Sequence, residues 1–230
     1  DHMNPVHFAP LSETAIIVDF GQEISIEKNK YILNVTQNIQ ENPFPGFIEA
    51  VPTYTTLTIH INPFQIEEYS FEKCCNTIRT YLHKKANLVH QNKTVYIPVC
   101  YEDEFAPDLS FVAEQNNLTT KQVIQYHTEK TYHVYFLGFS PGFPFLAGLD
   151  KRISTPRKQT PRTLVPTGAV GIAGEQTGVY PSPTPGGWQI IGRTPVSLLR
   201  LNMHPPTLLQ PGDQVKFYSI SKHAFYSKED

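Results

Sequence analysis

Ten of the chain's thirteen glycines fall between Gly138 and Gly192, and prolines such as Pro141, Pro156, Pro166 and Pro185 are threaded through the same stretch. Proline removes a backbone donor and fixes φ, while glycine tolerates positive φ and close backbone approach. At this density no long helix survives. The segment must therefore be short strands joined by stiff loops. Two readings of the glycines stand side by side. A preorganised loop surface can turn backbone N–H groups outward as nests for anions or carboxylates, or a closed β domain simply needs many turns.

The side chains between these residues favour a binding surface. Thr155-Pro156-Arg157 and Thr160-Pro161-Arg162 repeat one unit five residues apart, and Arg193-Thr194-Pro195 sets a third arginine beside a proline. Arginine on stiff backbone suits bidentate recognition of carboxylate or phosphate. Gln176 and Thr177, inside Gly174–Gly178, supply amide and hydroxyl groups, while Tyr180 and Trp188 can wall an apolar pocket and still hydrogen-bond. From Lys151 to Gln210 seven basic residues face Glu175 alone, although the whole chain carries a formal charge of −2. The local excess suits an anionic ligand or acidic partner. The overall balance gives no sign of nucleic-acid binding.

Sharper motifs fail on their own chemistry. Gly138-Phe139-Ser140-Pro141-Gly142 fits the G-x-S-x-G nucleophile elbow. That elbow needs the N–H of the residue after serine, which Pro141 lacks, and a following helix, which Pro144 would interrupt. Gly174–Gly178 has no lysine where a phosphate-binding P-loop requires one. The histidines form no H-x-H or H-x-x-x-H pair, so no metal site is expected. His127 and His133 read as structural, with His127 left open as a pocket residue.

The first half shows different periodicities. Ala15–Val18 is a buried-strand run, and Tyr31, Ile32, Val35 and Ile39 recur at helical spacing before Pro43. Phe47–Val51 suits a strand, and Thr55–Ile61 alternates. Phe71, Cys74, Cys75, Ile78 and Leu82 mark a second helical stripe, and Thr94–Cys100 is a further strand. The order β-α-β-β-α-β predicts a ferredoxin-like split βαβ unit. A linker near Leu88–Lys93 divides an N-terminal α+β domain (3–90) from a C-terminal, mainly-β domain (91–230). Two short helices follow Thr94–Cys100. Asp108 is placed to cap the first, and Thr119 with Gln122 forms a capping box for the second.

Asp1 and His2 ahead of Met3 read as a cloning remnant, and no basic segment with an apolar run follows. No stretch approaches the roughly 20 apolar residues of a membrane span. Three cysteines, two of them adjacent, make neither a disulfide framework nor a zinc pair. A cytoplasmic protein is expected.

Leu137-Gly138-Phe139-Ser140-Pro141-Gly142-Phe143-Pro144-Phe145-Leu146 with Gly148-Leu149-Asp150 resembles the signature of the allophanate hydrolase subunit 1-like family, to which the B subunit of 5-oxoprolinase and the kinase inhibitor KipI belong. The resemblance continues through Gln176-Thr177-Gly178-Val179-Tyr180-Pro181, Pro185–Pro195 and Pro211–Phe217. It implies a cyclophilin-like barrel for the C-terminal domain. It also implies one component of an ATP-dependent 5-oxoprolinase, working with homologues of that enzyme's C and A subunits to convert 5-oxoproline to glutamate. ATP would then be used by the complex, at a site left open. On that reading Arg157, Arg162 and Arg193 recognise the carboxylate, Gln176 and Thr177 orient polar groups, and Tyr180 and Trp188 shape the pocket. The family's other branch implies a binding protein that inhibits a histidine kinase without turnover. A prolyl isomerase follows only by analogy of fold.

Overall fold

The helix predicted before Pro43 forms as α1 (Ile26–Glu41), opened by the Ser25 hydroxyl, which accepts from the Lys28 N–H. The computed structural model describes residues 5–84 and 92–227. They divide into two compact units, one ahead of residue 92 and one from Asn92 onward. The boundary expected at Leu88–Lys93 lies largely outside the described residues.

The first unit is a four-stranded antiparallel sheet built from β1 (His7–Ser12), β2 (Ala15–Asp19), β3 (Phe47–Pro52) and β4 (Thr56–Ile61), in the order β1-β2-β4-β3. Alternation works as the sequence implies. Leu57, Ile59 and Ile61 are buried, as are Ile32, Val35 and Ile39 of α1 and Cys74, Cys75 and Ile78 of α2 (Phe71–Arg79), all in one core. Burial pushes the Cys74 thiol up to about 11, so it serves as packing and not as a nucleophile. The predicted β-α-β-β-α-β closure is corrected here. Thr94–Cys100 does not join this sheet. The place beside β2 is taken by β1, a strand whose exposed, non-alternating side chains gave no signal.

In the second unit Thr94–Cys100, now β5, joins a closed seven-stranded barrel. The others are β6 (Thr131–Leu137), β7 (Pro144–Ala147), β9 (Ala169–Ala173), β10 (Gln176–Val179), β12 (Gln189–Arg193) and β13 (Gln214–Ile220). Their order is β10-β7-β6-β13-β5-β12-β9, closed by β9 against β10. Every pairing in the barrel is antiparallel except β5 with β13, which run parallel from Thr94–Gln214 to Cys100–Ile220. A separate ribbon pairs β8 (Arg162–Val165) with β11 (Thr184–Gly186).

Two helices, α3 (Leu109–Gln115) and α4 (Thr120–Glu129), link β5 to β6, and a short α5 (Lys222–Ser227) ends the described chain. The Thr119–Gln122 capping box forms as expected. Asp108 stands at the N-cap of α3, but its side chain makes no capping bond. It is used elsewhere.

Alternation along β9 sends Val170 and Ile172 into the barrel core, with Val99, Leu146, Val179, Ile191, Val215 and Phe217. The opposite face of the same strand carries only Ala169, Gly171 and Ala173, and against it lie Phe143, Val165, Tyr180, Trp188 and Ile190. Small residues on the strand leave room for large rings from the loops. That outer layer positions the site described next.

Candidate functional site

Phe143 is the hub of the outer layer. Its ring meets Tyr180 and Trp188 edge to face, each at 5.2 Å between centroids, and tilts against Phe145 at 4.9 Å. Two glycines make this possible. A Cβ on Gly178 would stand 2.7 Å from Phe143 Cζ, and one on Gly171 would stand 3.0 Å from Trp188 Cβ. The Gly178→Ala variant is therefore expected to lose about 1–3 kcal/mol of stability by overpacking. Thermal unfolding and near-ultraviolet circular dichroism of the aromatic cluster would measure it, and an unchanged transition would refute the close-approach role.

Beside this layer opens a cleft of about 320 Å³, lined by Phe139, Phe145, Arg157, Lys158, Tyr180 and Trp188 among others. Burial raises the Tyr180 phenol, opposed by the Trp188 backbone and the charges of Arg157 and Arg162. It stays neutral, able to donate. Arg157 is exposed and makes no hydrogen bond or ion pair among the described residues, so its five donors face the cleft and the neighbouring hollow unengaged.

What holds the arginine loop is Asp108, whose side chain is 6% exposed. Arg162 donates to it twice, Nη1 to Oδ2 at 2.5 Å and Nη2 to Oδ1 at 2.8 Å. Lys158 Nζ approaches Oδ1 at 3.2 Å, and the Ile190 N–H donates to Oδ2 at 2.7 Å. Burial alone would raise this carboxyl, but the Arg162 bonds, the Ile190 amide and the neighbouring charges outweigh it and hold it below its ordinary value. One carboxylate thus ties the start of α3, residues 158–162 and the start of β12 together.

The seven residues singled out in the sequence are not gathered in one place. Arg157, Tyr180 and Trp188 line the cleft. Arg162 lies in the adjoining segment with its guanidinium committed to Asp108. Arg193 sits at the far end of β12, roughly 16 Å along the strand from Trp188 at ~3.3 Å per residue. There its Nε donates to Thr167 O and its guanidinium lies over Phe225. Gln176 opens β10 and is not among the cleft's lining residues. Most of Gly174–Gly178 runs as this strand.

Thr177 is fully buried in the barrel, and there it meets His127. The Thr177 hydroxyl donates to Gly171 O at 2.9 Å, leaving its oxygen to accept from His127 Nε2, also at 2.9 Å. Tyr101 OH then donates to His127 Nδ1 at 2.6 Å. The imidazole is 0% exposed, stacks on Phe217 at 4.7 Å and 19°, and is pushed down to about 3 by burial. His127 is therefore a neutral core group, outside the cleft.

The Gly138–Gly142 turn links β6 to β7, strand to strand, so the strand-turn-helix setting of a nucleophile elbow is absent. Among the described residues the Ser140 hydroxyl has no hydrogen-bond partner to activate it. Among the described residues no cluster of three or more His, Cys, Asp or Glu could hold a metal ion, and no helix is long and apolar enough to cross a membrane. Phe143, Phe145 and Gln189 join the site without a role expected from sequence, where only the aromatic repeat in Gly142-Phe143-Pro144-Phe145 is a local signal. Lys158 counts there only toward the basic excess, and Asp108 reads only as a helix cap.

Residues 6–209 match the model of the carboxyltransferase domain, subdomain C and D. The chain belongs to this family. Within it, the chain is 44% identical over 228 residues to the 5-oxoprolinase B subunit of Bacillus subtilis (strain 168), covering 96% of this chain and 95% of that protein. It is 38% identical over 208 residues to the 5-oxoprolinase B subunit of Escherichia coli O157:H7, covering 90% and 93%. Among solved structures, the crystal structure of TTHA0988 is 36% identical with a TM-score of 0.77; the match covers 90% of this chain and 40% of that one. As a carboxyltransferase-domain family member, the chain shares nearly its full length with the bacterial B subunits.

Proposed function

We propose that this family member is the B subunit of an ATP-dependent 5-oxoprolinase, acting in the cytoplasm with homologues of the enzyme's C and A subunits to open 5-oxoproline to glutamate. The near end-to-end similarity to two bacterial 5-oxoprolinase B subunits supports the reading most directly. Opening an unstrained lactam is uphill, which is why ATP enters through the complex. On the same reading the units on either side of the 90/91 boundary are two domains, and the seven-stranded barrel is cyclophilin-like.

This chain's contribution is recognition. Arg157 is an uncommitted cation on a loop fixed by Asp108, with Tyr180 and Trp188 forming an aromatic wall to one side. A guanidinium held this way takes a substrate carboxylate in two parallel bonds at little entropic expense. Arg162 holds the loop, and Arg193 braces the far end of β12.

Reconstitution with the two partner homologues, 5-oxoproline and ATP tests the proposal, with glutamate release as the readout. Arg157→Ala is expected to raise KM about 10- to 100-fold, the equivalent of losing a charge-assisted hydrogen bond. A complex that assembles yet releases no glutamate would sink the reading, and an unchanged KM would remove Arg157 from it.

A further inference from the structure

Residues 156–160 form a wall between two hollows of different chemistry. On one side lies the aromatic cleft, which offers no side-chain amide or carboxylate. On the other is a hollow of about 660 Å³ lined by Phe111, Gln115, Gln159, Thr160 and Gln189, with Arg157 and Lys158 common to both.

Gln189 is the unusual member of that lining. It is 2% exposed, and its Nε2 donates to Pro156 O at 3.0 Å. This bond fixes the amide's orientation, because turning it over would set two carbonyl oxygens against each other. Oε1 is thereby left buried with no hydrogen-bond partner among the described residues. An unmet buried acceptor is unfavourable and uncommon, and a ligand N–H removes the penalty.

5-Oxoproline has two recognisable ends, a carboxylate and a ring N–H. The aromatic cleft can take the first at Arg157 but has no side-chain amide or carboxylate for the second. The neighbouring hollow has partners for both. We propose that Gln189 is the specificity-determining residue of the substrate seat: its Oε1 accepts the lactam N–H while Arg157 and Lys158 take the carboxylate, on the hollow's side of the wall. The oxygen is closed to solvent, so the N–H reaches it with a small outward shift of the Pro156–Thr160 wall, whose residues other than Lys158 are exposed. This assignment rests on the 5-oxoprolinase reading above.

The test compares binding of 5-oxoproline with that of its lactone analogue, in which a ring oxygen replaces the N–H, by calorimetry on the assembled complex. The wild type is expected to prefer the lactam about 10-fold or more, because the lactone leaves the buried acceptor unmet and sets oxygen against oxygen. Gln189→Met, similar in volume, should bind both ligands alike. Arg157→Ala should weaken both and keep the preference. As a measurement independent of variant folding, the Gln189 side-chain amide resonances of the wild type should shift with the lactam and stay in place with the lactone. Retention of the preference in Gln189→Met, or motionless amide resonances on lactam binding, overturns the assignment. If the complex still releases glutamate from 5-oxoproline, only Gln189 loses its role. If no glutamate forms, the parent reading fails instead.

Discussion

Asp108→Asn is expected to lower the stability of the barrel unit by about 2–3 kcal/mol and to loosen residues 156–162 before the rest unfolds. The carboxylate receives two Arg162 bonds, a Lys158 contact and the Ile190 amide. Asparagine keeps the shape and one acceptor, but it ends the charge pairing and turns an N–H group toward cationic donors. The loss stays below that of a fully buried pair because the Arg162 side chain is 26% exposed and can regain water. Denaturant unfolding together with amide exchange of Ile190 and Lys158 would measure it. A double-mutant cycle with Arg162→Met should give a coupling energy above about 1 kcal/mol. Simple additivity would mean that the ion pair does not hold the loop.

His127 makes stability fall on mild acidification, with a sign that can be worked out. Its folded value is pushed down to about 3, against 6.5 for an unburied imidazole. Below 6.5 the unfolded chain binds a proton that the folded chain refuses. The stability associated with neutral His127 is complete above about pH 6.5 and drains away as pH drops toward the folded value. The slope approaches about 1.4 kcal/mol per pH unit, or roughly 2.7 kcal/mol lost by pH 4.5. The depressed carboxyls of Asp108, Asp150 and Glu104 act in the same direction, but from the lower ordinary values of 3.8 for the aspartates and 4.5 for the glutamate. The window from pH 6.5 to about 5 therefore isolates the histidine. His127→Gln, which can still bond Tyr101 and Thr177, should flatten the profile there even if it lowers stability at pH 7. Parallel wild-type and variant profiles would show that another group governs the acid response.

Elements defined by local chemistry were legible in the sequence. The period of Ile32, Val35 and Ile39 and the Thr119–Gln122 box each act within one or two turns of chain, and each forms. The allegiance of Thr94–Cys100 was not legible, because alternation announces a strand and says nothing of its partner. Asp108 misled for a related reason. An aspartate before a helix reads as a cap, whereas Arg162 competes for it from 54 positions away and wins by charge. The glycines were ambiguous in principle, since an amide nest and a ring pressed on a strand both need a missing Cβ. At Gly171 and Gly178 the ring is the answer. Thr177 shared a short motif with Gln176 and Tyr180, but strand alternation turned it into the barrel beside His127. The cleft itself was half visible: Arg157, Tyr180 and Trp188 meet, while Arg193 was drawn in by composition and separated by the length of β12.

The parallel pairing of β5 with β13 has a consequence for how the protein is made. These strands open and close the barrel unit, and their partners lie 120 residues apart, from Thr94–Gln214 to Cys100–Ile220. The barrel cannot close until its last strand has left the ribosome, so its apolar interior waits exposed through most of synthesis. The first unit, whose strands pair among near neighbours, has no such delay. Contacts this distant in sequence slow folding and lengthen the time during which unpaired edges can find the wrong partner. Truncation within Gln214–Ile220 should therefore leave a soluble first unit attached to an aggregating remainder.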